Sequence, residues 1–261
     1  MILDRLAASA RKRVEEKKRR RPLTELQREA EAMEKNTGFP FRQALEAEGI
    51  SFICEVKKAS PSKGIIAEQF PYLEIAEDYQ AAGAAAISVL TEPEYFLGQD
   101  RYLKEIARQA AVPVLRKDFT VDPYQIYEAK VLGASAVLLI CSILSLEQLK
   151  EYLKLARGLG LSALVETHDS REIDLALEAG AGIIGVNNRN LQDFQVDVSN
   201  SLRLRELIPP GVLYVSESGV RTRRDVEILE QNGTDGVLIG ETLMRSPDRQ
   251  RTLRELKGGA G

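Results

Sequence analysis

The chain has 261 residues, of which 44% are hydrophobic and 29% charged, with a formal net charge of -3. That apolar content suffices for a large core and excludes a disordered chain, while the charge balance gives no global electrostatic reason to expect nucleic acid or an acidic membrane as partner. Cys54 and Cys141 lie in apolar runs without metal-ligand spacing and read as reduced packing residues.

The N-terminus, MILDRLAASARKR, lacks the apolar segment of a secretory signal, and Asp4, Glu15 and Glu16 disfavour an organelle transit peptide, so a cytoplasmic location is expected. From residue 1 to about 48 the chain reads as helical, rich in Ala, Leu, Glu, Lys and Arg, with a turn at Asn36-Thr37-Gly38. Within this N-terminal helical extension the dense basic run RKRVEEKKRRR, Arg11 to Arg21, reads as a solvated helix face.

From Ser51 onward short apolar runs alternate with amphipathic segments of helix length. The predicted strands are SFICEVK, AAISVL, PVLRK, SAVLLI, SALVE, GIIGVN, VLYVSE and DGVLIG, beginning near Ser51, Ala85, Pro113, Ser135, Ser162, Gly182, Val212 and Asp235. None of the apolar stretches, AVLLICSIL from Ala136 to Leu144 included, reaches the roughly 20 residues needed to span a bilayer. Before several strands a helix ends on glycine, as in AAGAAAISV, VLGASAVLL, EAGAGIIGV and QNGTDGVLI, a device that lets the chain leave a helix for a nearby parallel strand. Eight such units close into a (β/α)8 TIM barrel over residues 49–261, with the extension at 1–48 and a single domain overall.

An open doubly wound sheet is the competing layout, and Gly180-Ala-Gly182-Ile-Ile-Gly185 matches a dinucleotide fingerprint. That fingerprint follows a strand and opens a helix; here the glycines follow a helix and run into a strand, so the amides point the wrong way for a pyrophosphate.

In an α/β barrel the C-terminal strand ends converge on one mouth. The first strand ends in Glu55 and Lys57, which alternate onto one face; the third ends in Lys117 and Asp118, the fifth in Glu166, the sixth in Asn187 with Arg189 after it, the seventh in Glu217 and Ser218. Any one of these could be a structural ion pair. Together, ammonium groups and carboxylates around one cavity suggest proton transfer, with a lysine protonated at neutral pH as an acid and Glu166 raised by a dry site as a base.

SESG (Ser216 to Gly219) and LIGETLM (Leu238 to Met244) close the last two strands, where such barrels commonly bind phosphate on glycine amides and a helix N-terminus. The Glu241 carboxylate would repel phosphate, so only its amide should face the ligand. His168, the single histidine, reads as loop and helix start, with Asp169 or Ser170 as cap. Tyr95 and Phe96, beside Glu92 and Glu94, could stack on a planar substrate or cover the barrel.

Taken in order, CEVKKASPSKG (Cys54 to Gly64), SVLTEPEYFLG (Ser88 to Gly98), PVLRKDF (Pro113 to Phe119), ALVETH (Ala163 to His168), GVNNRNL (Gly185 to Leu191), SESGV and LIGETLM resemble the indole-3-glycerol phosphate synthase family over nearly the whole chain. Membership would imply a lyase and decarboxylase of tryptophan biosynthesis that closes, decarboxylates and dehydrates a phosphorylated anthranilate-sugar adduct.

The resemblance implies Lys117 as the acid at the sugar carbonyl, Glu166 as the acid-base carboxylate, and Lys57 with Glu55 as the first-strand pair, Lys57 near the substrate carboxylate and a candidate proton donor in dehydration, with the division of acid steps between the two lysines left open. It implies Asn187, Arg189, Glu217 and Ser218 as substrate-orienting groups, Ser60, Gly219, Gly240 and the Glu241 amide at the phosphate, and Phe96 and Phe119 lining the aromatic pocket. Gln99 departs from the serine common in relatives. No metal or organic cofactor is expected, since no cluster has metal-ligand spacing, and the expected partner is a small phosphorylated substrate, with a monomer or weak homodimer in solution. The rivals are another phosphate-binding barrel, such as a sugar-phosphate isomerase, and a noncatalytic scaffold acting through the basic extension.

Overall fold

A computed structural model describes residues 2–190 and 194–259; Leu191, which ends the GVNNRNL string, lies outside them. Eight strands, Ser51–Val56 (β1), Ala86–Leu90 (β2), Val114–Lys117 (β3), Ala136–Ile140 (β4), Ser162–Thr167 (β5), Ile183–Asn187 (β6), Leu213–Glu217 (β7) and Gly236–Ile239 (β8), form a closed barrel in which every pairing is parallel. The order is sequential and β8 closes on β1, so the architecture is the (β/α)8 barrel that the alternation predicts. Each strand begins within one residue of its sequence-based start.

Twelve helices accompany the strands among the described residues: Ile2–Arg20 (α1), Leu23–Ala32 (α2), Pro40–Leu45 (α3), Tyr72–Ala81 (α4), Asp100–Gln109 (α5), Pro123–Val131 (α6), Leu146–Gly158 (α7), Ser170–Ala179 (α8), Ser199–Leu204 (α9), Arg223–Gln231 (α10), Glu241–Met244 (α11) and Arg249–Leu256 (α12). None is long and apolar enough to cross a membrane. Gly83, Gly133, Gly180 and Gly233 leave α4, α6, α8 and α10 at φ of +77 to +89°, the left-handed exit for which glycine carries no Cβ penalty. Gly180 and Gly182 thus join a helix to a strand, and the nucleotide fingerprint is coincidental.

Strand alternation builds two cores. Inward residues such as Ile53, Leu115, Leu164, Val215 and Leu238 fill the barrel, whereas outward ones such as Cys54, Val114, Val165 and Val237 pack against the helices. Phe41 and Leu45 of α3 join the inner cluster. The same helix donates from Arg42 to the carbonyl oxygens of Gly182 and Gly211 and accepts from Ser51 at the Ala44 carbonyl, contacts that place it over the strand-entry end of the barrel. α1 lies toward the other end, where Ile2, Leu3 and Leu6 line the mouth.

The basic run is not a solvated face throughout. Arg13 Nη2 donates to Asp118 Oδ1 at 2.5 Å, Lys17 Nζ binds Glu128 at 2.7 Å and also Asp100, and Lys18 Nζ binds Asp122 at 2.7 Å. Asp100 and Glu128 in turn hold Arg116, which is 2% exposed on the outer face of β3, at 2.9 and 2.7 Å. A buried arginine needs such partners, and α1 supplies the cations that balance the cluster, so three of the run's eight basic residues clamp α1 onto β3 and its neighbours.

Candidate active site

The sequence-predicted residues meet at the C-terminal rim. Glu55 and Lys57 share the inward face of β1 and the residue pair beyond it, and Lys57 Nζ donates to Glu55 Oε1. Lys117, the last residue of β3, donates from Nζ to Glu166 Oε2 and to Glu217 Oε2, both at 2.8 Å. Three strands therefore converge on one ammonium. Asn187 at the end of β6 donates to Glu166 Oε1 at 3.2 Å, and Ser218 Oγ donates to Asn187 Oδ1 at 2.9 Å. The Arg189 amide also donates to Asn187 Oδ1, at 3.0 Å, and its guanidinium lies 3.6 Å from Glu241.

All fourteen predicted site residues line one cavity of about 420 Å³: Glu55, Lys57, Ser60, Phe96, Lys117, Phe119, Glu166, Asn187, Arg189, Glu217, Ser218, Gly219, Gly240 and Glu241. The Phe96 and Phe119 rings stand 6.2 Å apart and tilted by 43°, forming an apolar wall. Opposite them Gly219 sits at φ +95° after Ser218 at +69°, a left-handed pair at the end of β7. Gly240 is required for a different reason: a Cβ there would fall 2.2 Å from Glu55 Oε1 and 2.9 Å from Lys57 Nζ. The Glu241 carboxylate is turned toward Arg245 at 3.3 Å, Lys63 at 3.6 Å and Arg189, so its charge is met by cations.

Burial sets the electrostatics. Glu166 is 4% and Glu217 1% exposed, and desolvation raises any carboxyl group. At Glu166 that tendency is overridden by Lys117 and His168 and by the hydrogen bonds it accepts, which hold it well below the usual carboxylate range. At Glu217 burial prevails, with Glu166 and Glu55 adding repulsion, and the carboxyl is pushed up to about 7. Its Oε1 is buried without a hydrogen-bond partner, over Gly185. Burial alone would lower Lys117, but Glu166, Glu217 and Glu55 raise it far above its ordinary value. The raised carboxyl is thus Glu217, not Glu166, because the ammonium stabilises Glu166 as the anion.

His168 stands at the helix start as the sequence suggests, with Asp169 capping α8 through the Glu172 amide at 2.9 Å. Its ring is not a surface feature, however, for Nε2 is buried 3.6 Å behind Glu166 Oε1.

Sequence reasoning gave no role to Asn188, which is buried and fully engaged: Nδ2 donates to Ser216 Oγ and to the Ser218 carbonyl, both at 3.0 Å, and Oδ1 accepts from Ser201 N and Oγ at 3.0 and 2.8 Å. It pins the left-handed Ser218 in place. The signal available was its place in GVNNRNL beside Asn187. Ile2, Leu3 and Leu6 were also missed as lining, since amphipathic helix texture does not say what a helix covers. Among the described residues no group of three or more His, Cys, Asp or Glu side chains is arranged to hold a metal ion.

The family model for Indole-3-glycerol phosphate synthase matches residues 3–256. The chain is 56% identical over 260 residues to the Indole-3-glycerol phosphate synthase of Ruminiclostridium cellulolyticum, covering 100% of both, and 55% identical to that of Endomicrobium trichonymphae over 98% of this chain and 100% of the relative. Among solved structures it is similar to 3-hexulose-6-phosphate synthase from Salmonella typhimurium, with a TM-score of 0.66 at 14% identity over 80% of this chain and 97% of that one, a likeness of fold alone.

Proposed function

The chain belongs to the indole-3-glycerol phosphate synthase family, and we propose that the cavity at its barrel mouth is where it performs that reaction. It is a carboxy-lyase of tryptophan biosynthesis, converting 1-(2-carboxyphenylamino)-1-deoxyribulose 5-phosphate to indole-3-glycerol phosphate with loss of carbon dioxide and water. The observation that carries the assignment of roles is the Lys117 ammonium held at 2.8 Å by both Glu166 and Glu217 inside the cavity.

Ring closure requires an acid at the sugar carbonyl as the aromatic carbon attacks it, and Lys117 is the protonated donor in place. Loss of carbon dioxide leaves its electron pair in the ring and restores aromaticity. Dehydration then needs a proton for the departing hydroxyl and a base for a ring proton, and Glu166 is the acid-base carboxylate for that pair. Lys57, tethered to Glu55, faces the substrate carboxylate. Asn187 and Ser218 orient Glu166 and the sugar hydroxyls, with Arg189 and Glu217 completing the polar wall.

The aromatic ring of the adduct lies against Phe96 and Phe119, and its phosphate on Ser60 and the amides of Gly219, Gly240 and Glu241. Neutralisation of the Glu241 carboxylate by Arg245, Lys63 and Arg189 supports that placement, because an unpaired carboxylate would repel the anion. No metal or organic cofactor enters these steps.

The test is to mix the purified protein with the adduct in the presence of a chelator and follow indole fluorescence. Turnover at an undiminished rate is expected; phosphate-dependent binding without indole formation would overturn the assignment and favour a sugar-phosphate isomerase.

A further inference from the structure

The His168 imidazole lies between two carboxylates on opposite sides of the barrel wall. Its Nε2 is buried, lacks a hydrogen-bond partner and stands 3.6 Å from Glu166 Oε1, while Nδ1 lies 3.1 Å from Glu172 Oε2 on α8. Glu172 Oε2 also accepts from the His168 amide at 2.8 Å, and its Oε1 accepts from the exposed Ser142 hydroxyl. Asn200 of α9 donates to the His168 carbonyl at 3.1 Å, fixing the backbone that carries the ring. The inner nitrogen thus faces a residue of the cavity and the outer one a chain of groups that ends at solvent.

The reaction needs such a path. With the substrate carboxylate ionised, one proton goes to the carbonyl oxygen and a second to the departing hydroxyl, while only one is recovered from the ring. Each turnover therefore takes up one proton net, and Glu166, 4% exposed, cannot receive it directly from water while substrate fills the mouth.

We propose that His168 is a positioning residue acting through Glu166, relaying that proton from solvent at Glu172 and Ser142 into the active site. In the step, the Nε2–H bond of the imidazolium breaks as an O–H bond forms at Glu166 Oε1, and Glu166, 2.8 Å from Lys117 Nζ, then gives a proton to the amine that was spent at the carbonyl, so that both groups end the cycle as they began. The neutral ring turns about its Cβ–Cγ bond, and the bared nitrogen is re-protonated at the Glu172 side. The 3.6 Å separation is of the kind that closes to hydrogen-bond length when substrate binds.

The groups set against the ring are Glu166 of β5, Glu172 of α8, Ser142 after β4, and Glu217 across the barrel. The charged ones are all acidic. Burial alone would lower the imidazole, but the Glu172 hydrogen bond and the charges of Glu166, Glu172 and Glu217 raise it above its ordinary value and so favour the imidazolium.

The inference rests on the acid-base role of Glu166, and single-turnover rates separate the two. His168→Gln keeps an amide donor near Glu166 but cannot carry a proton. It is expected to slow indole formation about tenfold, to flatten the fall in rate expected of the wild-type protein as pH rises through the His168 ionisation, and to recover when imidazole is added. Glu172→Gln removes an anion from the ring and should shift that alkaline limb to lower pH without removing it. A His168→Gln rate equal to wild type, or a loss indifferent to pH and to imidazole, overturns the relay. If Glu166→Gln itself turns over normally, the acid-base assignment falls instead.

Discussion

Lys117 is held by two carboxylates that do not share a charge state. Glu166 is kept ionised by the ammonium and Glu217 is pushed up to about 7 by burial, so the trio carries one mobile proton near neutral pH. Removing the ammonium with Lys117→Ala should cut turnover by about 10² to 10⁴ while the circular dichroism spectrum stays native; near wild-type turnover would refute its role as the acid. Glu166→Gln should slow chemistry while leaving phosphate affinity intact, and the opposite pattern would remove it from the acid-base step. Gly240→Ala places a methyl group 2.2 Å from Glu55 Oε1, so the Glu55–Lys57 pair must move, and KM is expected to rise about tenfold or more as the cradle opens. The membership of this cluster was legible in the sequence, because strand ends in a barrel share a mouth. The direction of the Glu166 ionisation was not, since it depends on a lysine 49 residues away whose distance no local pattern encodes.

The same limit acts on elements. Every strand start follows from the change of hydrophobic period, sharpened before several strands by a glycine exit, both local properties, and each was readable to within one residue. The partners of α1 were not, because the Arg13–Asp118 contact spans 105 residues and a basic helix face looks alike whether it meets water or carboxylates. That contact matters to the site, for Asp118 follows Lys117 directly and also accepts from the Phe119 amide at 2.8 Å. Arg13→Ala should leave the buried carboxylates of Asp118 and Glu92 short of a cation; we expect a loss of about 1–3 kcal/mol in denaturant unfolding together with a raised KM for the adduct, and a KM unchanged beside that loss would limit the clamp to stability. The cluster also has a pH signature. Burial alone would raise Asp100, but Arg116 and Lys17 depress it, and a depressed carboxylate contributes stability that is full above its unfolded pKa, about 3.9, and is lost as pH falls through the folded value. Melting temperatures of wild type and Asp100→Asn should therefore differ at pH 7 and begin to draw together only as pH falls below about 4, meeting once it has passed the folded value; a gap that persists in stronger acid would show that the ion pairs contribute nothing through this carboxylate.

At the scale of the molecule, β3 shows how one strand serves two cores. Val114 and Arg116 face the helices, the latter in the charge cluster beneath α1, while Leu115 and Lys117 face the barrel interior. Closure into a barrel was legible from eight repeated units, but the seal that Phe41 and Leu45 add to the inner cluster was not, since α3 reads only as part of a helical extension. The two cores make separable demands. Leu103 on α5 and Leu115 on β3 are both fully buried, and truncation of either to alanine should cost about 2–5 kcal/mol in the unfolding midpoint. Their kinetic consequences should differ. Leu103 lies in the helix-facing layer, where a cavity is bounded by the outer face of the sheet, so kcat in Leu103→Ala should stay within about twofold of wild type. Leu115 lies two residues below Lys117 on the same inward face, and a void there lets the strand end settle. A shift of even a few tenths of an ångström at the ammonium loosens its hold on Glu166 and Glu217, so Leu115→Ala should lower kcat by about tenfold or more at a comparable loss of stability. Equal kcat values in the two variants would mean that the barrel interior fills space without positioning the site, and the rim groups would then owe their geometry to the loops alone.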